Sequence, residues 1–202
     1  MSALLEQKKK KKQEALLSSA FTLFTQRGIN NTSISDIVKE AKMAKGTFYL
    51  YFKDKYDIRD RLVARKASVL FEQAHNRLQE EKIDVFEDKI CFIIHEVLDQ
   101  LAEDPSLLRF ISKNLSWAIL SRVQITQMGN MDCRTIFDKL IENSGKQYRN
   151  HELMIYLIVE LVSASSYSVI LYQEPCTLEE LKEELDRSIR GIIKQFEVLG
   201  DE

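Results

Sequence analysis

Thr32-Ser33-Ile34-Ser35-Asp36-Ile37-Val38-Lys39-Glu40-Ala41, then Lys42-Met43, then Ala44-Lys45-Gly46-Thr47-Phe48-Tyr49-Leu50-Tyr51-Phe52-Lys53-Asp54-Lys55, is the stretch on which the fold turns. Ser33 with Asp36 three residues on reads as a capping box, in which hydroxyl and carboxylate answer the first free amides of a helix. Ile34, Ile37, Val38 and Ala41 follow at helical spacing, so the box opens an amphipathic helix of about two turns. A second short helix is expected over Ala44 to Leu50. Lys53-Asp54-Lys55 then makes a tight polar corner, where Asp54 is placed to cap a further helix and Asp57 stands at its third position. Two short helices joined by a four-residue turn, the second polar and aromatic, describe a helix-turn-helix. In that motif the first helix braces the second across the phosphate backbone, and the second offers its N-terminal residues to base edges in the major groove. The amides at its start also favour phosphate through the helix dipole.

Upstream, a helix is expected from about Gln7 to Gln26, with Leu16, Ala20, Leu23 and Phe24 on one face and Gly28 as its C-terminal cap. Before that face stands Lys8–Lys12. Five consecutive lysines cannot share one side of a helix. They are either a solubilising terminus or an extension that follows flanking phosphates or the minor groove. No large apolar face accompanies them, which speaks against a membrane surface.

Downstream, the fourth helix should continue to about Glu80, a length that suits a connector between a domain over 1–58 and one over 59–202. The rest reads as a helical bundle over roughly 84–102, 105–121, 132–144, 150–172 and 177–198. Pro105 and Pro175 fall where a next helix begins, Asn130 and Gly145 mark turns, and Thr177 with Glu180 is a second capping box. Only 6 Gly and 2 Pro in 202 residues agree with an all-α chain. The longest apolar stretches, Leu153 to Leu161 and Val169 to Tyr172, read as too short and too interrupted to span a bilayer. The N-terminus lacks the apolar core of a signal peptide. Cys91, Cys133 and Cys176 show no metal-like spacing and fit free thiols in a reducing cytoplasm.

The net charge of −2 is unevenly laid out. Residues 1–60 carry 12 Lys/Arg against 7 Asp/Glu, and residues 61–202 carry 17 against 24. One end suits a polyanion and the other does not.

The quoted stretch closely resembles the signature of the TetR (tetracycline-repressor) family: a Thr/Ser pair, an acidic-Ile-Ala segment, then Lys-Gly-Thr-aromatic-Tyr-x-Tyr/His-Phe-x-x-Lys. The resemblance is specific over residues 10–60; beyond it, length and helical character agree. It implies an N-terminal helix-turn-helix domain of three helices and a C-terminal bundle for ligand binding and dimerisation. By the same resemblance Lys45 and Gly46 open the recognition helix, and Gly46 lets backbone come close to DNA. Thr47 meets a base or phosphate, and Tyr49 and Tyr51 point outward with hydroxyls for phosphate or base edge. Lys55 is a phosphate clamp, and Thr32 and Ser33 form a phosphate site at the start of the bracing helix. Phe48 and Phe52 should fill the small core with Ile37, Leu23 and Phe24.

Two departures stand out. The family's turn usually carries Gly where this chain has Lys42, and a non-Gly residue in a left-handed conformation costs about 1 kcal/mol. The usual hydroxyl before the Lys-Gly pair is Ala44, which removes a phosphate donor.

In the bundle, Phe92, His95, Phe110, Asn114, Trp117, Phe137, Tyr156 and Tyr167 are candidate pocket residues, although each also reads as core. On the last two helices, Ser163, Ser166, Leu181, Leu185, Ile189, Ile192 and Phe196 are the expected homodimer interface. Two subunits would set two recognition helices about 34–36 Å apart, matching half-sites of a palindromic double-stranded operator. No catalytic constellation, metal site or cofactor is expected. The function that results is a dimeric cytoplasmic repressor, released from DNA when a small, largely apolar ligand moves the fourth helix. The alternatives are a ligand-independent DNA-binding or nucleoid-associated factor and, more distantly, a helical carrier or enzyme.

Overall fold

Gly28, at φ 82°, ends the first helix with its amide on the Phe24 carbonyl at 3.0 Å. Only glycine adopts that conformation freely, so the chain turns there. The computed structural model describes residues 2–112 and 133–198. Among the described residues there are nine helices and no β-strand. Asn114, Trp117 and the turn at Asn130 lie outside the described residues.

The chain divides into two compact units, Met1–Ala64 and Arg65–Glu202. The first holds α1 (Ser2–Arg27), α2 (Ile34–Glu40), α3 (Lys45–Tyr49) and the start of α4 (Lys55–Leu78). The division falls inside α4, six residues past the boundary expected at 58, and Ile58, Leu62, Val63 and Ala64 are all buried. α1 begins at Ser2 rather than Gln7, because Ala3, Leu4, Leu5 and Glu6 are strong helix formers. α2 packs against α1 and α3. The core of this unit is Leu16, Leu17, Ala20, Leu23, Phe24, Ile37, Phe48 and Phe52. The Phe48 and Phe52 rings lie 5.5 Å apart, as the sequence led one to expect.

The second unit continues with α5 (Phe86–Glu103), α6 (Pro105–Ser112), α7 (Cys133–Glu142), α8 (His151–Tyr172) and α9 (Leu178–Phe196). Pro105 opens α6, where its missing N–H costs nothing. Thr177 and Glu180 form a capping box at the start of α9. α9 packs against α8 and α5, and α6 against α5 and α8.

Two features of this unit bear on what the sequence led one to expect. Much of the apolar stripe of α9 is covered within one chain: Leu181, Leu185, Ile189 and Phe196 are buried, and Ile192 is half-buried. Of the two serines, Ser166 is buried too. Helical periodicity reveals that a face is covered, not what covers it. Second, α8 is an unbroken helix of 22 residues whose most apolar 18-residue stretch has a mean hydropathy of 1.8, long and apolar enough to cross a membrane by length and composition alone. Its serines interrupt the apolar runs without adding charge, so the short stretches join into one apolar helix.

Candidate nucleic-acid interface

The helix-turn-helix consists of α2, the turn 41–44 and α3. Ser33 caps α2 in both directions: its Oγ accepts from the Asp36 amide at 3.1 Å, and Asp36 Oδ2 accepts from the Ser33 amide at 2.9 Å. The Ser33 hydroxyl also donates to Asp36 at 2.7 Å. These bonds hold the Asp36 carboxyl below the ordinary carboxylate range, the Ser33 hydroxyl bond first among them. Ser33 is therefore exposed but already engaged.

The turn keeps the left-handed conformation without its usual glycine. Lys42 sits at φ 53°. The Met43 amide donates to the Val38 carbonyl at 2.8 Å and the Lys42 amide to Lys39 at 3.1 Å. This is the Schellman closure of α2. Two hydrogen bonds thus fix a conformation that lysine itself disfavours, and the turn does not change shape to accommodate it. At the next helix, Ala44 caps with backbone alone and has no side-chain bond.

α3 is one short helix with two distinct sides. Phe48 is fully buried. At 3.6 residues per turn, Lys45, Tyr49, Gly46 and Leu50 fall within an arc of about 140° on the other side. All four are exposed, Tyr49 at 54% and Leu50 at 79%. Thr47 and Tyr51 are half-buried at its margins. A Cβ added at Gly46 would meet nothing within 4 Å. The fold itself therefore does not require glycine there. Leu50 escaped the sequence reading. The signal was an apolar side chain between two tyrosines that the helical spacing turns outward. Lys39, Lys42 and Lys53, in the same segment of the chain, are exposed too.

Two residues expected at phosphates face inward instead. Thr32 is 1% exposed, and its hydroxyl donates to the Gly28 carbonyl at 2.8 Å. It closes the α1–α2 loop and is corrected from contact to loop residue. The Lys55 ammonium is half-buried and donates to the Ile29 carbonyl at 3.0 Å and the Thr32 carbonyl at 3.3 Å. Two of its three donors clamp the same loop and hold the chain that leads into α2. α4 itself starts on Asp54, whose Oδ1 accepts from the Tyr56 and Asp57 amides at 2.8 and 2.9 Å.

In the second unit an apolar cavity of about 50 Å³ lies among α4, α5, α6 and α8. Its walls include Leu70, Phe71, Ile94, Val97, Leu101, Leu108, Ile111, Val159 and Val162, with Ser112, Ser163 and Ser166 as polar edges. None of the six described pocket candidates lines it. Phe110 and Phe137 are buried, Phe137 edge-on to Phe71 with ring centroids 5.7 Å apart. Phe92 and Tyr167 are half-buried, Tyr167 against Tyr172, and Tyr156 is exposed. His95 Nε2 lies 2.8 Å from Asp186 Oδ1, where α5 meets α9. This polar partner lies on the neighbouring helix. Ser163 and Ser166, read as interface, border the cavity. Beside His95, the buried Cys91 thiol is pushed up to about 12, chiefly by burial and further by Asp186, so it is carried as a thiol.

Residues 16–62 match the family described as bacterial regulatory proteins, tetR family. The chain is 25% identical over 138 residues to the fatty acid metabolism regulator protein of Bacillus subtilis (strain 168), covering 68% of this chain. It spans 64% of that regulator, less than two thirds of its length. Among solved structures, a tetR family transcription regulator from Shewanella sp. PV-4 superimposes with a TM-score of 0.63 at 18% identity, covering 93% of this chain and 99% of that one. The regulator FadR from Bacillus subtilis, solved in complex with stearoyl-CoA, gives 0.56 at 18% identity, with coverage of 87% and 96%. At such identities the two structures speak for the fold alone. The helix-turn-helix built as described, through the start of α4, is the segment that matches the tetR family of bacterial regulatory proteins.

Proposed function

We infer that this protein is a dimeric, sequence-specific DNA-binding repressor of the cytoplasm, released by an apolar ligand of the acyl-chain class. The outward arc of Lys45, Gly46, Tyr49 and Leu50 on α3 carries the reading. A cation, an open backbone, a phenol and an aliphatic side chain together suit phosphate, base edge and thymine methyl in a major groove. Among the described residues a Cβ at Gly46 would meet nothing within 4 Å, and Leu50 is exposed.

The ligand class rests on the walls of the cavity and on the stearoyl-CoA of the related structure. At about 50 Å³ the cavity is far below the ~300 Å³ or more of a typical small-molecule site, so an acyl chain would have to part the helices. Ala67, Leu70 and Phe71 of α4 stand in its wall, and the same helix begins at Lys55. A ligand that prefers the parted arrangement shifts the population of α4 toward it. The dimer contact passes to α8, where Leu153, Tyr156 and Leu157 are 40%, 36% and 38% exposed.

The test is a fluorescence-anisotropy titration of duplexes from the gene's own upstream region at several salt concentrations, repeated with long-chain acyl-CoA. Nanomolar, sequence-preferring binding relieved by acyl-CoA supports the reading. Absence of sequence preference at low salt overturns it. A second reading, ligand-independent DNA binding, is favoured by the small cavity, and acyl-CoA that leaves binding unchanged decides for it.

A further inference from the structure

α1 extends well past the core of its own unit. Leu16 is its first buried residue, so the 14 residues Ser2–Ala15 precede the core as continuous helix. At 1.5 Å per residue that is about 20 Å of rod. Every residue from Leu4 to Lys12 is exposed. Lys8–Lys12 lie on this rod, and at about 100° per residue their ammonium groups go round its whole circumference. Such a run does not serve the helix, since like charges four apart, as Lys8 and Lys12 are, repel. Glu6 and Glu14 stand four residues from Lys10 alone.

The charge balance gives the run its meaning. Residues 1–60 hold 12 basic and 7 acidic residues, and five of the 12 are this run. The remaining seven cancel the seven acids. The whole cationic surplus of the DNA-binding segment therefore resides on a rod outside its core. Binding to duplex DNA is driven largely by counterion release at neutralised phosphates. A rod charged on all sides needs no face to meet phosphates. A helix lying on a bilayer needs an apolar face, and the only apolar residues ahead of the lysines are those at the very tip.

We propose that the α1 extension is a second, sequence-independent DNA contact that engages the phosphates flanking the half-site through Lys8–Lys12. It rests on the DNA-binding reading above. The rod begins about 6 Å beyond the core at Lys12, within one Debye length of about 8 Å.

The full chain is compared with a variant carrying Gln at all five lysines and one carrying Arg at all five. Each is titrated against an upstream duplex with long flanks and against the same site trimmed to its half-sites. On the long duplex the Gln variant should bind at least 10-fold more weakly. Its slope of log affinity on log salt should be shallower by about 2 to 4, at about 0.9 per lost phosphate contact. The ratio of specific to random affinity should stay unchanged, the Arg variant should match the wild type, and trimming should erase the difference. Unchanged affinity and slope in the Gln variant, with normal wild-type binding, overturn the proposal alone. So does loss of binding to phosphatidylserine vesicles with DNA affinity intact, which would assign the rod to a membrane. A wild-type chain that binds no duplex overturns the DNA-binding reading and the proposal together.

Discussion

Lys42 shows how much one residue can be asked to bear. Its φ of 53° is held by the Val38 and Lys39 carbonyls, and its side chain is exposed. Lys42→Gly removes a left-handed penalty of about 1 to 2 kcal/mol and adds freedom to the unfolded chain worth about half of that. The variant should therefore be more stable by about 1 kcal/mol, read as a higher urea midpoint; a lower midpoint would mean that the lysine side chain contributes to the turn. Gly46 makes the opposite case. Glycine in a helix costs roughly 0.5 to 1 kcal/mol against alanine, and a Cβ there meets nothing. Gly46→Ala should leave the protein as stable or more so while weakening operator binding at least 10-fold, measured by denaturation and anisotropy on one preparation. Stability and binding that rise together would remove Gly46 from the interface. At this scale the sequence showed which residue types mattered, and Phe48, Phe52 and Ile37 stand where periodicity put them. It did not show which way a polar head turns. Thr32 and Lys55 could face water or the loop carbonyls of Gly28 and Ile29, and only the folded loop decides.

Helix ends were legible because caps are local chemistry. Both capping boxes form, Ser33 with Asp36 and Thr177 with Glu180. Glu180, like Asp36, is held below the ordinary carboxylate range, first by the Thr177 amide and then by its hydroxyl. The sign follows from linkage. A carboxyl with a lowered folded pKa stabilises the fold fully above its unfolded value, and that contribution disappears as pH falls through the folded value. Stability should hold down to about pH 5 and decline toward about pH 3, and a Ser33→Ala, Thr177→Ala double variant should lose less over that window. At neutral pH each lost cap should cost about 1 kcal/mol. A double variant as acid-sensitive as the wild type would place the sensitivity elsewhere. Faces were harder to read than ends. The periodicity of α9 marks its apolar face but not its neighbours, and within one chain α8 and α5 pack against that helix.

Across the whole molecule, one apolar side of α8 is exposed among the described residues. Only 39% of its most apolar stretch is buried, and Leu153 and Leu157 are one turn apart on the open side. In the proposed dimer a second copy would lie against that side and supply the pair of recognition helices that a palindromic operator calls for. Leu157→Glu should raise the dimer dissociation constant at least 10-fold by sedimentation velocity, with the helix content of the monomer retained. A dimer indifferent to the change would move the contact off α8.

The most direct test concerns the exposed face of α3. Wild-type protein and Tyr49→Ala are titrated against the upstream duplex and a scrambled duplex of equal length, at two salt concentrations. The wild type should prefer the upstream duplex by at least 100-fold. Tyr49→Ala should lose most of that preference while keeping its affinity for the scrambled duplex. Equal affinity of the wild type for both duplexes at both salts would contradict the account.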